Sequence, residues 1–138
     1  MTRKRTYVDS GVLIAAARGG GPLADRALDV IADTATREFV CSDYVRLEVI
    51  PKPTYEGRAA ELRFYEEFFA SVSIWLPFDV HHLRRALTEA CHSGLTAMDA
   101  VHVVAAAESD CQELITSEKP SKPIHRTKLI TVLSIDAE

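Results

Sequence analysis

The chain has 138 residues, 47% of them hydrophobic and 26% charged. That is enough for one core and argues for a single domain over 1–138, with no stretch polar enough for wholesale disorder. A formal charge of −4 excludes a protein that coats nucleic acid through its overall field, so any such contact must be local.

The basic start and the six-residue apolar run from Val12 to Ala17 mimic a secretory leader, but Asp9 interrupts them and the run is too short for one. No segment approaches the roughly 18 apolar residues of a membrane span. Cys41, Cys91 and Cys111 are odd in number and far apart, which fits neither a disulfide framework nor a thiolate zinc site and points to a reducing cytoplasm.

In chain order, short β-favouring runs alternate with helical patterns. "TYVD" (6–9) reads as the first strand. "GPLADRALDVIADTA" reads as a helix with Pro22 in its first turn, and Leu23, Ala27, Leu28 and Ile31 on one face turned to a sheet. "EFVCS" (38–42) is the second strand. "SDYVRLEVI" is a short helix capped by Ser42 and ended near Pro51–Pro53. "GRAAELRFYEEFFASV" carries the stripe Leu62, Tyr65, Phe68 and Phe69, and "SIWLPF" (73–78) is the third strand.

"DVHHLRRALTEACHSG" begins at a capping Asp79, closes near Gly94 and carries Val80, Leu83, Leu87 and Ala90 as its apolar stripe. "TAMDAVHVVAAAESD" is apolar nearly all round, which predicts the most buried helix of the set. "ELITS" (113–117) and "KLITVLS" (128–134) complete the strands. Such alternation implies an α/β chain with a mainly parallel sheet.

In an open α/β sheet, ligands sit at the carboxyl ends of the strands. Asp9 and Glu118 fall at such ends, Asp99 in the first turn of the buried helix, and Glu48 on the short helix after the second strand. If the first strand is central and the fourth its neighbour, all four carboxylates face one crevice. So close together they raise one another's pKa, and a hard, oxygen-loving cation relieves them; Mg²⁺ or Mn²⁺ suits a site without Cys or His ligands. Such ions activate water and stabilise the leaving oxygen of a phosphodiester.

Each acid also has a plainer reading. Asp9 caps a helix; Thr96 and Asp99 form a [ST]-x-x-[DE] capping pair; Glu48 is a solvated helix glutamate; Glu118 pairs with Lys119 or Lys122. Asp25, Asp29 and Asp33 read as one exposed face. His81 and His82 read as surface or packing residues. His102, one turn after Asp99, reads as a hydrogen-bonded core histidine with the pocket as the alternative. Arg3, Lys4 and Arg5, and later Lys119, Lys122, Arg126 and Lys128, are either phosphate contacts or ordinary solvated charges.

Taken together, "YVDSGVLIAA", "SDYVRLEV", "GLTAMDAVHVVAAA" and "ELITSEKP" resemble the ordered motifs of the PIN-domain ribonucleases, and among them the single-domain VapC-like toxins. The resemblance implies a three-layer α/β/α fold around a twisted, mainly parallel five-stranded sheet. It also implies divalent-metal-dependent endoribonuclease activity on RNA. By it Asp9, Glu48 and Asp99 hold the metal, Glu118 stands where an Asp is usual, and Ser10 and Thr116 orient ligands or waters. It further implies a homodimer and a small antitoxin partner.

Two other functions compete. A PIN-fold RNA-binding module without catalysis is motivated by Glu118 and the acidic charge. A phosphohydrolase with Asp9 as covalent nucleophile wants an Asp two residues on, where this chain has Gly11.

Overall fold

A computed structural model of the chain describes residues 2–136. Its centre is β1 (Lys4–Val8), whose Thr6, Tyr7 and Val8 are buried on both faces, as expected of an interior parallel strand. On one side it pairs with β2 (Arg37–Ser42), which pairs in turn with β3 (Ile74–Leu76). On the other it pairs with β4 (Glu113–Thr116) and then β5 (Val132–Ser134). The sheet order is β3-β2-β1-β4-β5, with every pair parallel. This is the expected three-layer α/β arrangement.

Between the strands run α1 (Ser10–Arg18), α2 (Pro22–Ala32), α3 (Asp43–Val49), α4 (Pro51–Tyr55), α5 (Ala59–Ala70), α6 (Val80–Ser93) and α7 (Ala97–Glu108), with a 3-10 turn at Pro123–Arg126. α1 packs against α2, α3 and α5, while α6 packs on α7 and α7 on β2 and β4. As predicted, α7 is the most buried helix, with every residue from Ala100 to Ala106 inside. Gly19, Gly20 and Gly21 all have positive φ (68°, 80° and 98°), which lets the chain reverse between α1 and α2 where a side chain would be strained. Among the described residues no helix is long and apolar enough to cross a membrane.

Four local expectations need correction. Helix α2 packs on α1 rather than on the sheet, burying Ala24 and Ala27 and leaving Leu28 37% exposed. α1 already lies against β4, and small alanines allow the close helix–helix approach. The Ser42 hydroxyl does not cap α3; it bonds the buried Tyr7 hydroxyl at 2.9 Å, while α3 ends at Val49 just before Pro51 as expected, and Pro51 then opens the short α4. Strands β3 and β5 are shorter than their apolar runs, the latter because Leu129 N–H turns onto the Thr127 hydroxyl at 3.2 Å.

The fourth correction concerns α6. Its cap at Asp79 and stop at Gly94 are as expected, but Val80, Leu83 and Leu87 face outward, at 60%, 58% and 66% exposure. The buried side instead carries Ala86, His82, whose Nδ1 accepts the Asp79 N–H, and Glu89, which accepts from the Ser93 and Thr127 hydroxyls at 2.8 and 2.6 Å. With those polar groups satisfied inside, the leucines border an apolar groove of 420 Å³ between α6 and α7.

At the amino ends of the strands, the buried Glu113 accepts from Thr6 Oγ1 at 2.6 Å and Arg37 Nε at 3.1 Å, with Lys4 Nζ 3.8 Å away. Arg37 also reaches Asp33 Oδ2 at 3.1 Å. Asp25 and Asp29 are exposed as expected, whereas Asp33 is partly buried and engaged with Thr36 and Arg37.

Candidate active site

The site is built where β1 ends. Asp9 N–H still donates to Ile115 O at 3.1 Å, so strand pairing fixes its backbone before the chain turns into α1. Asp9 then caps α1: Oδ1 accepts the Val12 N–H at 3.1 Å, and Oδ2 accepts the Thr116 hydroxyl at 2.6 Å. Thr116 Oγ1 in turn accepts the Glu118 N–H at 3.0 Å, folding the loop after β4 back over the end of β1. The capping reading of Asp9 is therefore correct, and it leaves the carboxylate on the cleft.

Gly11 makes this approach possible. A Cβ there would lie 2.2 Å from Ser117 Oγ, so a side chain would displace the loop's serine.

From the other strands come the remaining acids. β2 leads into α3, which carries Glu48; its Oε1 lies 2.6 Å from His102 Nε2 on α7. Asp99 sits in the first turn of α7, its N–H held by the capping Thr96 Oγ1 at 3.2 Å. An open cleft of 390 Å³ is lined by Asp9, Ser10, Gly11, Glu48, Thr96, Asp99, Ser117 and Glu118, among others. The topology thus brings the four predicted carboxylates and Ser10 to one cleft, with Thr116 behind Asp9. A larger hollow of 730 Å³, bordered by Arg46, Leu47, Ile50, Phe69 and Trp75, has one carboxylate in its lining, Glu66, and lacks a convergent polar set.

The electrostatics follow from crowding. Burial pushes the Asp9 carboxyl above its ordinary value, opposed by the nearby His102 and the Thr116 hydrogen bond, while Asp99 adds to the rise. Asp99 is also raised, first by burial and then by the charge of Glu118, with Glu48 contributing in the same sense. The expected pairing of Glu118 with Lys119 or Lys122 does not form; among the described residues Glu118 makes no ion pair.

The donor set suits a hard divalent cation: carboxylate and hydroxyl oxygens, no thiolate, and negative charge that an ion would offset. The acids nevertheless stop short of a finished cage. Among the described residues no three His, Cys, Asp or Glu side chains are arranged to hold an ion directly.

His102 is the hydrogen-bonded core histidine, behind the cleft and outside its lining. It is 3% exposed, and its ring joins Glu48 to Tyr7, whose hydroxyl is 2.9 Å from Nδ1. Tyr7, Ser42 and Ser117 escaped the sequence reading. Spacing could have flagged the first, since Tyr7 lies two residues before Asp9 on one strand and His102 three after Asp99 on one helix face.

The sequence profile of the PIN domain matches residues 6–120. The chain belongs to the PIN-domain family. PIN domains are nucleases as a family. No curated protein matches this sequence, but solved structures do. VapBC2 of Rickettsia felis, crystallised with a DNA fragment from its promoter, superposes with a TM-score of 0.70 at 14% identity, over 96% of this chain and 99% of that one. DNA-bound VapBC of Salmonella typhimurium gives 0.67 at 15% identity, again over 96% and 99%. PAE2754 of Pyrobaculum aerophilum gives 0.61 at 21% identity, over 95% of this PIN domain and 92% of that chain. These likenesses cover a larger share of the chain than the matched profile.

Proposed function

We propose that this PIN domain, working as one domain over residues 1–138, is a divalent-metal-dependent endoribonuclease, the toxin of a toxin–antitoxin pair or a stand-alone relative. The observation that carries this reading is the convergence of Asp9, Glu48, Asp99 and Glu118 on one cleft at the carboxyl ends of the strands. Asp9, Glu48 and Asp99 would hold Mg²⁺ or Mn²⁺, with Glu118 as a longer fourth acid and Ser10 and Thr116 fixing the orientation of ligands. A bound ion would supply an activated water and charge for the leaving oxygen. Exposed Lys119 and Lys122, just past Glu118, are suited to RNA phosphates.

Incubation of the protein with an RNA panel and Mn²⁺ should yield discrete fragments, lost on chelation. RNA that stays intact yet bound would favour the alternative of a non-catalytic RNA-binding module, which the replacement of the usual Asp by Glu118 motivates. Since Glu118 is exposed and engages the site through its backbone N–H, Glu118→Gln should lower the cleavage rate only several-fold, against the far larger loss expected for Asp99→Asn. Equal losses would make Glu118 a full ligand.

The free thiols Cys41, Cys91 and Cys111 suit a cytoplasmic setting. The complexes formed by the VapBC relatives support a small antitoxin as partner. A homodimer fits the outward stripe of α6, because Leu83 and Leu87 border the α6/α7 groove and a two-fold pairing would seat one copy's leucines in the other's groove. Leu83→Glu with Leu87→Glu should give a monomer by light scattering with thermal stability nearly unchanged. A dimer that survives both changes would move the interface elsewhere.

A further inference from the structure

We propose that Ser42, Tyr7 and His102 form a hydrogen-bonded chain that positions Glu48, leaving one carboxylate oxygen committed to the protein and the other turned to the cleft. The inference rests on the metal-nuclease reading above and deepens it. Its basis is continuous geometry. Ser42 Oγ lies 2.9 Å from Tyr7 OH, Tyr7 OH 2.9 Å from His102 Nδ1, and His102 Nε2 2.6 Å from Glu48 Oε1. Ser42 and Tyr7 are fully buried and His102 nearly so, so no water competes for these partners.

Hydrogen inventory sets the direction. A carboxylate only accepts, so His102 Nε2 carries a hydrogen and donates it to Glu48. On the other side of the ring Nδ1 is held by the Tyr7 hydroxyl, and that hydroxyl by Ser42 Oγ. Each link fixes the next: β1 and β2 hold the phenol and the serine, the phenol holds the ring in plane, and the ring holds Glu48 Oε1. Tyr44, edge-on to the His102 ring with centroids 5.7 Å apart, limits rotation from the side.

His102 is thus a positioning residue, acting on the metal through Glu48. It occupies the place that carboxylates take behind ligating histidines in many metal sites, with the roles reversed. A histidine that served only to fill the core would need neither a donor aimed at Glu48 nor two hydroxyls behind it. It would also be replaceable by leucine without consequence for the cleft.

The test measures Mn²⁺ affinity by calorimetry on the metal-free full chain, which separates ligand orientation from catalysis. His102→Leu should weaken Mn²⁺ binding by about 10- to 100-fold, the range for outer partners of metal ligands. His102→Gln, whose amide nitrogen falls near Nε2, should restore most of it. Tyr7→Phe, which removes a single oxygen, should cost a few-fold, and it carries the test if leucine at 102 prevents folding.

In the metal-free wild type, the ¹⁵N spectrum of the His102 ring should show the hydrogen on Nε2. Wild-type affinity in a folded His102→Leu variant, or a hydrogen on Nδ1 in the neutral ring, would overturn the inference. Should the wild type bind no Mn²⁺ at all, the metal reading fails, and the ring tautomer alone then decides whether the chain holds Glu48.

Discussion

Asp9→Asn should remove metal-dependent RNA cleavage almost completely, by at least about a hundredfold, while raising the melting temperature of the metal-free protein. The two effects share one cause. Asp9 is buried at the end of β1 with a carboxyl pushed above its ordinary value of 3.8, chiefly by desolvation. Asparagine keeps the acceptor for the Val12 N–H and discards the buried charge, and although its Nδ2 cannot accept the Thr116 hydroxyl as Oδ2 does, it can donate to Thr116 Oγ1, so the folded state gains about 1 kcal/mol, the scale of single stabilising substitutions. Calorimetry in chelator would show the rise, and a gel assay with Mn²⁺ the loss. A variant as active as wild type would remove Asp9 from the site.

The same shifts set a pH dependence. Asp9 and Asp99 both have folded pKa values above the unfolded one, so at any pH above the raised values both states are charged and the fold bears the full cost of burial. As pH falls through the raised values, the folded state takes up protons before the unfolded state does, and stability rises until pH reaches the unfolded value of 3.8. Asp33 and Asp79 are held low by hydrogen bonds from Thr36 and the His82 N–H, and their contribution is lost only below that point. Metal-free protein should therefore melt higher at mildly acidic than at neutral pH. Saturating Mn²⁺ should shrink the difference, because the ion stabilises the charged carboxylates.

Arg37→Ala should be strongly destabilising although it lies outside the cleft. Glu113 has only 3% of its side chain exposed and depends on Arg37 Nε at 3.1 Å and Thr6 Oγ1 at 2.6 Å, while Lys4 approaches only to 3.8 Å. Removing the guanidinium strands a buried carboxylate, at a cost of about 3 kcal/mol, the lower end for broken buried pairs because Thr6 and Lys4 remain. That corresponds to a melting temperature roughly 10 °C lower. Arg37→Met combined with Glu113→Leu should recover most of the loss, since Thr6 Oγ1 can donate to Lys4 O, already 3.2 Å away. A double variant as unstable as Arg37→Ala would place the cost in lost packing.

The legible parts of this protein were those fixed by local chemistry. Apolar β-branched runs flanked by turns marked all five strands, and Pro22, Asp79 and Gly94 marked helix ends. The four acids could be assembled because Asp9 and Glu118 follow strand ends closely, Glu48 stands on the helix after β2 and Asp99 in the first turn of the buried α7. Illegible were choices that depend on what lies opposite. The leucines of α6 have the period of a buried stripe, yet Glu89 and His82 take the inside because Ser93, Thr127 and the Asp79 backbone satisfy them. Likewise nothing near Ser42 announces that its hydroxyl serves Tyr7, 35 residues earlier, rather than the helix it precedes.

The hydroxyl of Thr116 closes on Asp9 across 107 positions of sequence. During synthesis, β1, β2 and β3 can pair while one edge of β1 still lacks its neighbour, and Asp9 then has neither the strand nor the loop that shape its surroundings. The cleft around Asp9 is therefore completed late, when β4 slots in beside β1 and brings Thr116 to the carboxylate.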